Sequence, residues 1–153
     1  MMATAENKDN AKLAKEGYDL FTKGDLNKLA QHFSDNATMT SMSTGEVMKG
    51  RNNVIGFIGN FRTAFPDMTL DVKRQIACAD EVVTEFVAKG THKGVFMTPN
   101  GDIPPTGRKV EVPLCEILKV KDGLFTDSHL YFDTLSLMTQ LGVINLSEER
   151  HAL

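Results

Sequence analysis

The chain has no tryptophan, only two cysteines, and no run near the roughly eighteen consecutive apolar residues that a membrane span needs. Cys78 and Cys115 fall in strand-like stretches without metal-ligand spacing. They are expected to be small buried hydrophobes in a reducing compartment. A basic field is missing as well: 17 Lys and Arg face 20 Asp and Glu, for a formal charge of −3. That argues against nucleic acid and anionic membrane as partners. The N-terminal stretch MMATAENKDNAKLAKEG is polar and lacks the apolar segment of a secretory signal, so a cytoplasmic location is expected. Neither HExxH nor CxxC occurs, no Gly-rich phosphate loop precedes a helix, and there is no Gly-x-Ser-x-Gly elbow. No metal and no cofactor are expected.

What is present suits one domain over residues 1–153, with 1–8 and 143–153 as flexible tails. At 41% hydrophobic and 24% charged residues, the composition is that of a globular protein. Nine Phe and eight Met supply the large apolar side chains. Met can line an adaptable pocket, although core filling is its commoner use.

From Asp9 to Thr22, Leu13, Gly17, Leu20 and Phe21 recur at helical steps, with Tyr18 beside the stripe. Lys23-Gly24-Asp25 ends that helix and caps a shorter one bearing Leu26, Leu29, Ala30 and Phe33. His32 is placed to bond its last carbonyls. Ser34-Asp35-Asn36 is turn material, and 37–42 alternates as a short strand. A helix over 50–65 presents Val54, Phe57, Ile58, Phe61 and Phe65, and Pro66-Asp67 stops it. Gly56 and Gly59 within it each cost about 1 kcal/mol against Ala, which close packing on a sheet would explain.

Four strands follow. The first, 68–79, alternates Leu70, Val72, Ile76 and Cys78 with polar residues. The second, 82–93, puts Thr84, Phe86, Ala88, Gly90 and His92 on one face. A long Pro- and Gly-rich loop covers 94–107. In the third, 108–121, Glu116 shares a face with Leu114 and Leu118. Asp122-Gly123 signals a hairpin, and 124–132 returns along it. Asp127, His129, Tyr131 and Asp133 are spaced by two there, so they share a face. A last helix, 134–141, is closed by Gly142. Helices first and a meander after them give α+β: a strongly curved antiparallel sheet wrapped by three to four helices, making a cone with an open mouth. That mouth is where a ligand site is expected.

Several stretches carry a resemblance when taken in order. Gly50-Arg51 opens a helix that closes with Phe65-Pro66-Asp67. Then come Gly90-Thr91-His92-Lys93-Gly94, Pro104-Pro105-Thr106-Gly107-Arg108, Asp122-Gly123, Asp133 and Gln140-Leu141-Gly142. From about residue 10 to 142 this resembles the SnoaL-like polyketide cyclases, or ester cyclases, of the nuclear transport factor 2-like (cystatin-like) superfamily. The resemblance implies the cone fold. It implies an intramolecular aldol closure of a methyl-ester polyketide, without metal or covalent intermediate, and an Asp of the last strand as general acid and base. The matching position is Asp133. His129 departs from the family, where a Trp is frequent, and Asp127 stands where a Glu is frequent. A homodimer through the broad outer sheet face is also implied, a face to which Lys73, Glu85 and Lys89 give polar character.

The face of Asp127, His129, Tyr131 and Asp133 is expected to look into the pocket, with Asp127, close to the Asp-Gly turn, solvated at the rim. Asp133 is either a base, with its pKa raised by an apolar cavity, or the N-cap of the last helix, with its pKa lowered. His129 is a proton shuttle or a packed, satisfied ring. Tyr131 donates to an enolate oxygen or walls the pocket. Glu116 is a second pocket acid, or an edge residue paired with Arg62, Arg74 or Arg108. His92 is a ligand contact or a loop anchor beside Gly94. The expected function is acid–base chemistry on a small hydrophobic or polyketide-like ligand, with Asp133 and His129 catalytic and Tyr131, Glu116 and His92 binding. A cyclase, isomerase or hydratase fits that description. The alternatives are a non-catalytic binding module and a dimeric interaction domain.

Overall fold

Helix α1 (Ala5–Lys23) begins well before the expected Asp9 because its first turn has an anchor. Asn7 is buried and donates its side-chain amide to the Ala79 carbonyl at 2.8 Å. The computed structural model describes residues 5–145, so the expected tail segments 1–4 and 146–153 lie outside the described residues. Asn7, Asn10, Ala14, Gly17, Tyr18 and Phe21 are all buried, and their three- and four-residue steps make Tyr18 part of the inner stripe. Asp25 caps α2 (Leu26–Ala30) by accepting from Lys28 N, and His32 Nδ1 lies 3.1 Å from the Lys28 carbonyl, as expected.

The chain continues through β1 (Phe33–Ser41), β2 (Val47–Lys49), α3 (Arg51–Ala64), β3 (Thr69–Cys78) and β4 (Glu81–Thr91). A short ribbon, β5 (Phe96–Thr98) and β6 (Gly101–Ile103), lies within the segment expected to be a plain loop. Then come β7 (Lys109–Lys121), β8 (Leu124–Phe132) and α4 (Thr134–Gln140). The main sheet has six strands in the order β2-β1-β8-β7-β4-β3 and is not closed. The expected antiparallel meander runs β3-β4-β7-β8, but β1 lies parallel to β8, so the sheet is mixed. Asp122 and Gly123 both have positive φ (52° and 76°), which suits the twist of a two-residue hairpin.

Bulges decide which side chains face inward. On β7 and β8, Lys119 pairs with Asp127 but Val120 pairs with Phe125, so Thr126 is one residue too many. An extra residue reverses the alternation beyond it. Phe125 is therefore inside, and so are Ser128, Leu130 and Phe132, while Asp127, His129, Tyr131 and Asp133 turn to the outer side. This single bulge turns the four away from the concave cavity they were expected to face; Tyr131 and Asp133 line an open pocket of about 470 Å³ on the outer side instead. A second bulge, at Lys73, works the same way: Val72 opposes Phe86, whereas Arg74 opposes Glu85. It turns Ile76 and Cys78 outward, so Cys78 is exposed rather than buried. Residues 34–36, expected as a turn, lie in β1 within its irregular pairing with β8.

Helices α1, α3 and α4 cover the concave side. Gln140 on α4 bonds the Glu111 backbone in both directions, accepting at 2.7 Å and donating at 3.0 Å, where β8 has ended and left β7 an open edge. The two central glycines of α3 do not share one explanation. Gly59 makes ordinary contact with Leu26, but a side chain at Gly56 would meet nothing within 4 Å. Gly94 is different: a Cβ there would run into the Thr63 carbonyl. Urea denaturation should show Gly56→Ala more stable than wild type by roughly 0.5–1 kcal/mol. Gly94→Ala should lose about 1–3 kcal/mol. Equal effects at the two positions would contradict this packing.

Candidate active site

A cavity of about 110 Å³ lies between α1, α3 and the concave face of the sheet. Its wall is built from Phe, Leu, Val, Met and Ala side chains, and only two lining residues are polar, Tyr18 and Glu116. Glu116 comes from the middle of β7, where alternation points it inward with Leu114 and Leu118 as expected. It is only 6% exposed. A carboxyl group in such a place needs hydrogen bonds, since an unpaired buried carboxylate is strongly unfavourable. It receives two. The Tyr18 hydroxyl donates to Oε1 at 2.6 Å, and the Ser128 hydroxyl donates to Oε2 at 2.5 Å. Among the described residues no arginine bonds it: Arg62 instead donates to the Thr22 and Met68 carbonyls.

Opposing effects set the charge of the pair. Burial pushes the Glu116 pKa up, and the bonds from Ser128 and Tyr18 pull it down; burial prevails and the pKa is raised from 4.5. Tyr18 is also raised, first by burial and then by the neighbouring Glu116, with Thr84 acting the other way. Tyr18 therefore stays a neutral donor. Thr84 and Ser128 are fully buried, and Gln75 Nε2 reaches the Thr84 hydroxyl at 3.3 Å and the Ala11 carbonyl at 2.9 Å. The polar groups thus form a connected cluster at the α1 side of an apolar cavity.

Of the residues singled out in the sequence, only Glu116 lines this cavity. Asp133 is exposed and caps α4, accepting from Ser136 N at 3.0 Å. His129 is half-exposed on the outer face, with Nε2 3.5 Å from Asp127, which also accepts from the Thr38 hydroxyl at 2.6 Å. Tyr131 is 40% exposed on the same face, opposite Cys115. His92 is buried at the far end of the β4 inner face, against the Phe65 ring. Its Nδ1 accepts from Thr106 N–H at 3.1 Å, which holds the Pro-rich loop, and burial lowers its pKa against a weaker pull from the Gly94 backbone. The two partners of Glu116 were not singled out. The helical steps from Ala14 to Phe21 were the available signal for Tyr18; Ser128 had none without the bulge.

A wider, open vestibule of about 1100 Å³ adjoins the cavity. Phe57, Phe61, Phe132 and Leu137 line both spaces and form the boundary between them. Among the described residues, no helix is long and apolar enough to cross a membrane.

A SnoaL-like polyketide cyclase family model matches residues 12–141, so the chain belongs to that family. No curated protein sequence matches it significantly. Among solved structures, it is similar to a protein of Jannaschia sp. CCS1 provisionally named a SnoaL-like polyketide cyclase, at 19% identity and a TM-score of 0.83, covering 95% of this chain and 99% of that one. IdmH of Streptomyces antibioticus, provisionally named a polyketide cyclase, has 28% identity and a TM-score of 0.72 over 87% of this chain and 98% of its own. AclR of Streptomyces galilaeus, provisionally named a hydroxylase, has 24% identity and a TM-score of 0.79 over 91% and 99%. The fold is accordingly the nuclear transport factor 2-like α+β fold, with a sheet that is not closed.

The raised Glu116 pKa has a consequence for stability. In the unfolded chain the carboxyl ionises near 4.5, while in the fold it keeps its proton to higher pH. The native state binds more protons across that window, so this contribution is complete below pH 4.5 and is lost as pH rises through the native pKa. Glu116→Gln has no such proton. The stability of wild type relative to Glu116→Gln should therefore fall as pH rises through the window, measured by urea unfolding at a series of pH values. A difference that is flat, or that grows with pH, would contradict the shift.

Proposed function

We propose that the protein is an acid–base enzyme whose reactive group is Glu116, acting on a carbonyl-bearing small molecule held in the apolar cavity. The observation that carries this is a single carboxyl group, its pKa raised by burial, on the wall of a cavity that opens toward a vestibule. Raising the pKa of a carboxyl group makes its ionised form a stronger base. Each carboxylate oxygen has lone-pair capacity beyond the one bond it accepts here. Glu116 takes a proton from the carbon beside the carbonyl, the enolate carbon attacks a second carbonyl of the same molecule, and the proton is returned to the new alkoxide oxygen. One carbon–carbon bond forms and the enzyme ends as it began. This is the polyketide-cyclase-like aldol closure; enolisation alone would give an isomerase.

The test is hydrogen–deuterium exchange of the acetophenone methyl group in D₂O, followed by NMR. Wild type should accelerate it, and Glu116→Gln should lose about 10²-fold or more of that rate. Tyr18→Phe removes a bond that lowers the Glu116 pKa, so the pH dependence of exchange should move to higher pH. Asp133→Ala and His129→Ala should stay within about twofold, with Asp133→Ala costing about 1 kcal/mol of stability as a lost cap. Full loss of exchange in Asp133→Ala with retention in Glu116→Gln would reverse the assignment. Binding of acetophenone with no exchange in wild type would leave a binding module.

We also infer that two copies meet through the outer sheet face. Val83, Val87, Ile117 and Tyr131 form a partly exposed apolar strip there, flanked by Glu85, Lys89, Glu111 and Lys119. Ile117→Asp should turn a dimer into a monomer in light scattering; a monomer in wild type would end this inference.

A further inference from the structure

We propose that Phe61, with Phe132, is a size gate that admits only a single-ring or smaller reactive end to Glu116 and leaves the rest of the ligand in the vestibule. The inference rests on the reading of the cavity as the reactive site and adds what that site accepts.

The cavity measures about 110 Å³. That is below the roughly 150 Å³ of an engineered apolar cavity that admits benzene. A single substituted ring fits with slight adjustment of the walls, and a fused ring system does not. The vestibule, at about 1100 Å³, has no such limit.

Phe61 is the hub of the boundary between them. Its ring centroid lies 5.3 Å from Phe57, 5.3 Å from Phe96 and 6.1 Å from Phe132, with the Phe57 and Phe132 contacts edge-to-face. Three ring contacts hold it in one orientation. Phe132 pairs with Leu114 while Leu130 pairs with Glu116, so the carboxyl lies one inward-facing position deeper than the gate.

The vestibule is equipped for the other end of such a molecule. Thr134 Oγ1 is buried there without a hydrogen-bond partner among the described residues. Asn60 bonds the Met97 backbone through both its amide atoms, at 2.8 and 3.1 Å, and so fixes the β5–β6 ribbon as one lip. Gly56 lines the same space with nothing within 4 Å of a would-be Cβ. A glycine that no packing requires keeps that wall open. The ligand class is therefore a carbonyl compound with a one-ring reactive end and a polar remainder.

The test uses acetophenone and 2-acetonaphthone as one-ring and two-ring probes, with methyl NMR signals reporting position. In wild type, acetophenone should shift the Leu118 and Leu130 methyl signals, which lie in the cavity. The naphthone should shift only those of Val47 and Met97, which lie in the vestibule. Phe61→Ala should let the naphthone reach Leu118, with at least a tenfold gain in its affinity at the inner site. Phe61→Leu, a milder change, should move the same way and keeps the test usable if the alanine variant does not fold. Naphthone shifts at Leu118 in wild type, continued exclusion in both variants, or failure of acetophenone to reach Leu118 would each overturn the gate. Intact size discrimination without proton exchange would sink the acid–base reading and leave the gate standing.

Discussion

A carboxyl group shut away from water has to be given hydrogen bonds, and Glu116 takes them from two different elements. Tyr18 reaches it from α1 and Ser128 from β8, across sequence separations of 98 and 12 residues. The cone can close around its cavity only when helix, strand and hairpin are all in register. A one-residue slip in β8 would withdraw Ser128 and present Asp127 or His129 to an apolar wall. The Thr126 bulge is therefore as much a part of the site as the residues that touch the cavity. Leaving one oxygen of a buried carboxylate without its donor costs roughly 1–3 kcal/mol or more. Polar satisfaction and fold specificity thus act on the same three side chains.

The chemistry follows from a balance. Two hydrogen bonds favour the ionised form of Glu116 and burial disfavours it; the outcome is a carboxyl that is neither locked as an anion nor left as an ordinary surface acid. Asp133 is placed differently: it accepts from the Ser136 N–H as the cap of α4 and lies exposed on the outer side. The apolar wall matters beyond the pKa, because charges interact more strongly in a low-dielectric space than in water.

Much of the architecture was legible in the sequence. The order of the longer elements, the Asp122-Gly123 hairpin, the inward face of β4 and the His32 contact on α2 all follow local periodicity and turn chemistry, whereas the three-residue strands β2, β5 and β6 are too short to show a period. What failed was parity. Alternation is a local rule, and a bulge is set by the partner strand, so nothing within 124–133 announced that the acidic, imidazole-bearing face would turn outward. The same applies to Ile76 and Cys78 past the Lys73 bulge. Glu116 was legible because no bulge interrupts its pairing with β4. Tyr18 lies one position off the stripe marked by Leu13, Gly17, Leu20 and Phe21, because the buried stripe runs through Ala14 and leaves Leu13 only partly covered. The parallel pairing of β1 with β8 joins elements far apart in sequence, and periodicity carries no information on it.

Buried and hydrogen-bonded, Glu116 holds its proton to higher pH than a surface carboxyl. A carbon-13 titration of the Glu116 side-chain carboxyl, assigned through Glu116→Gln, measures it directly. A midpoint above 4.5 that climbs further in Tyr18→Phe is the expected result. A midpoint at or below 4.5, unmoved by Tyr18→Phe, would contradict it.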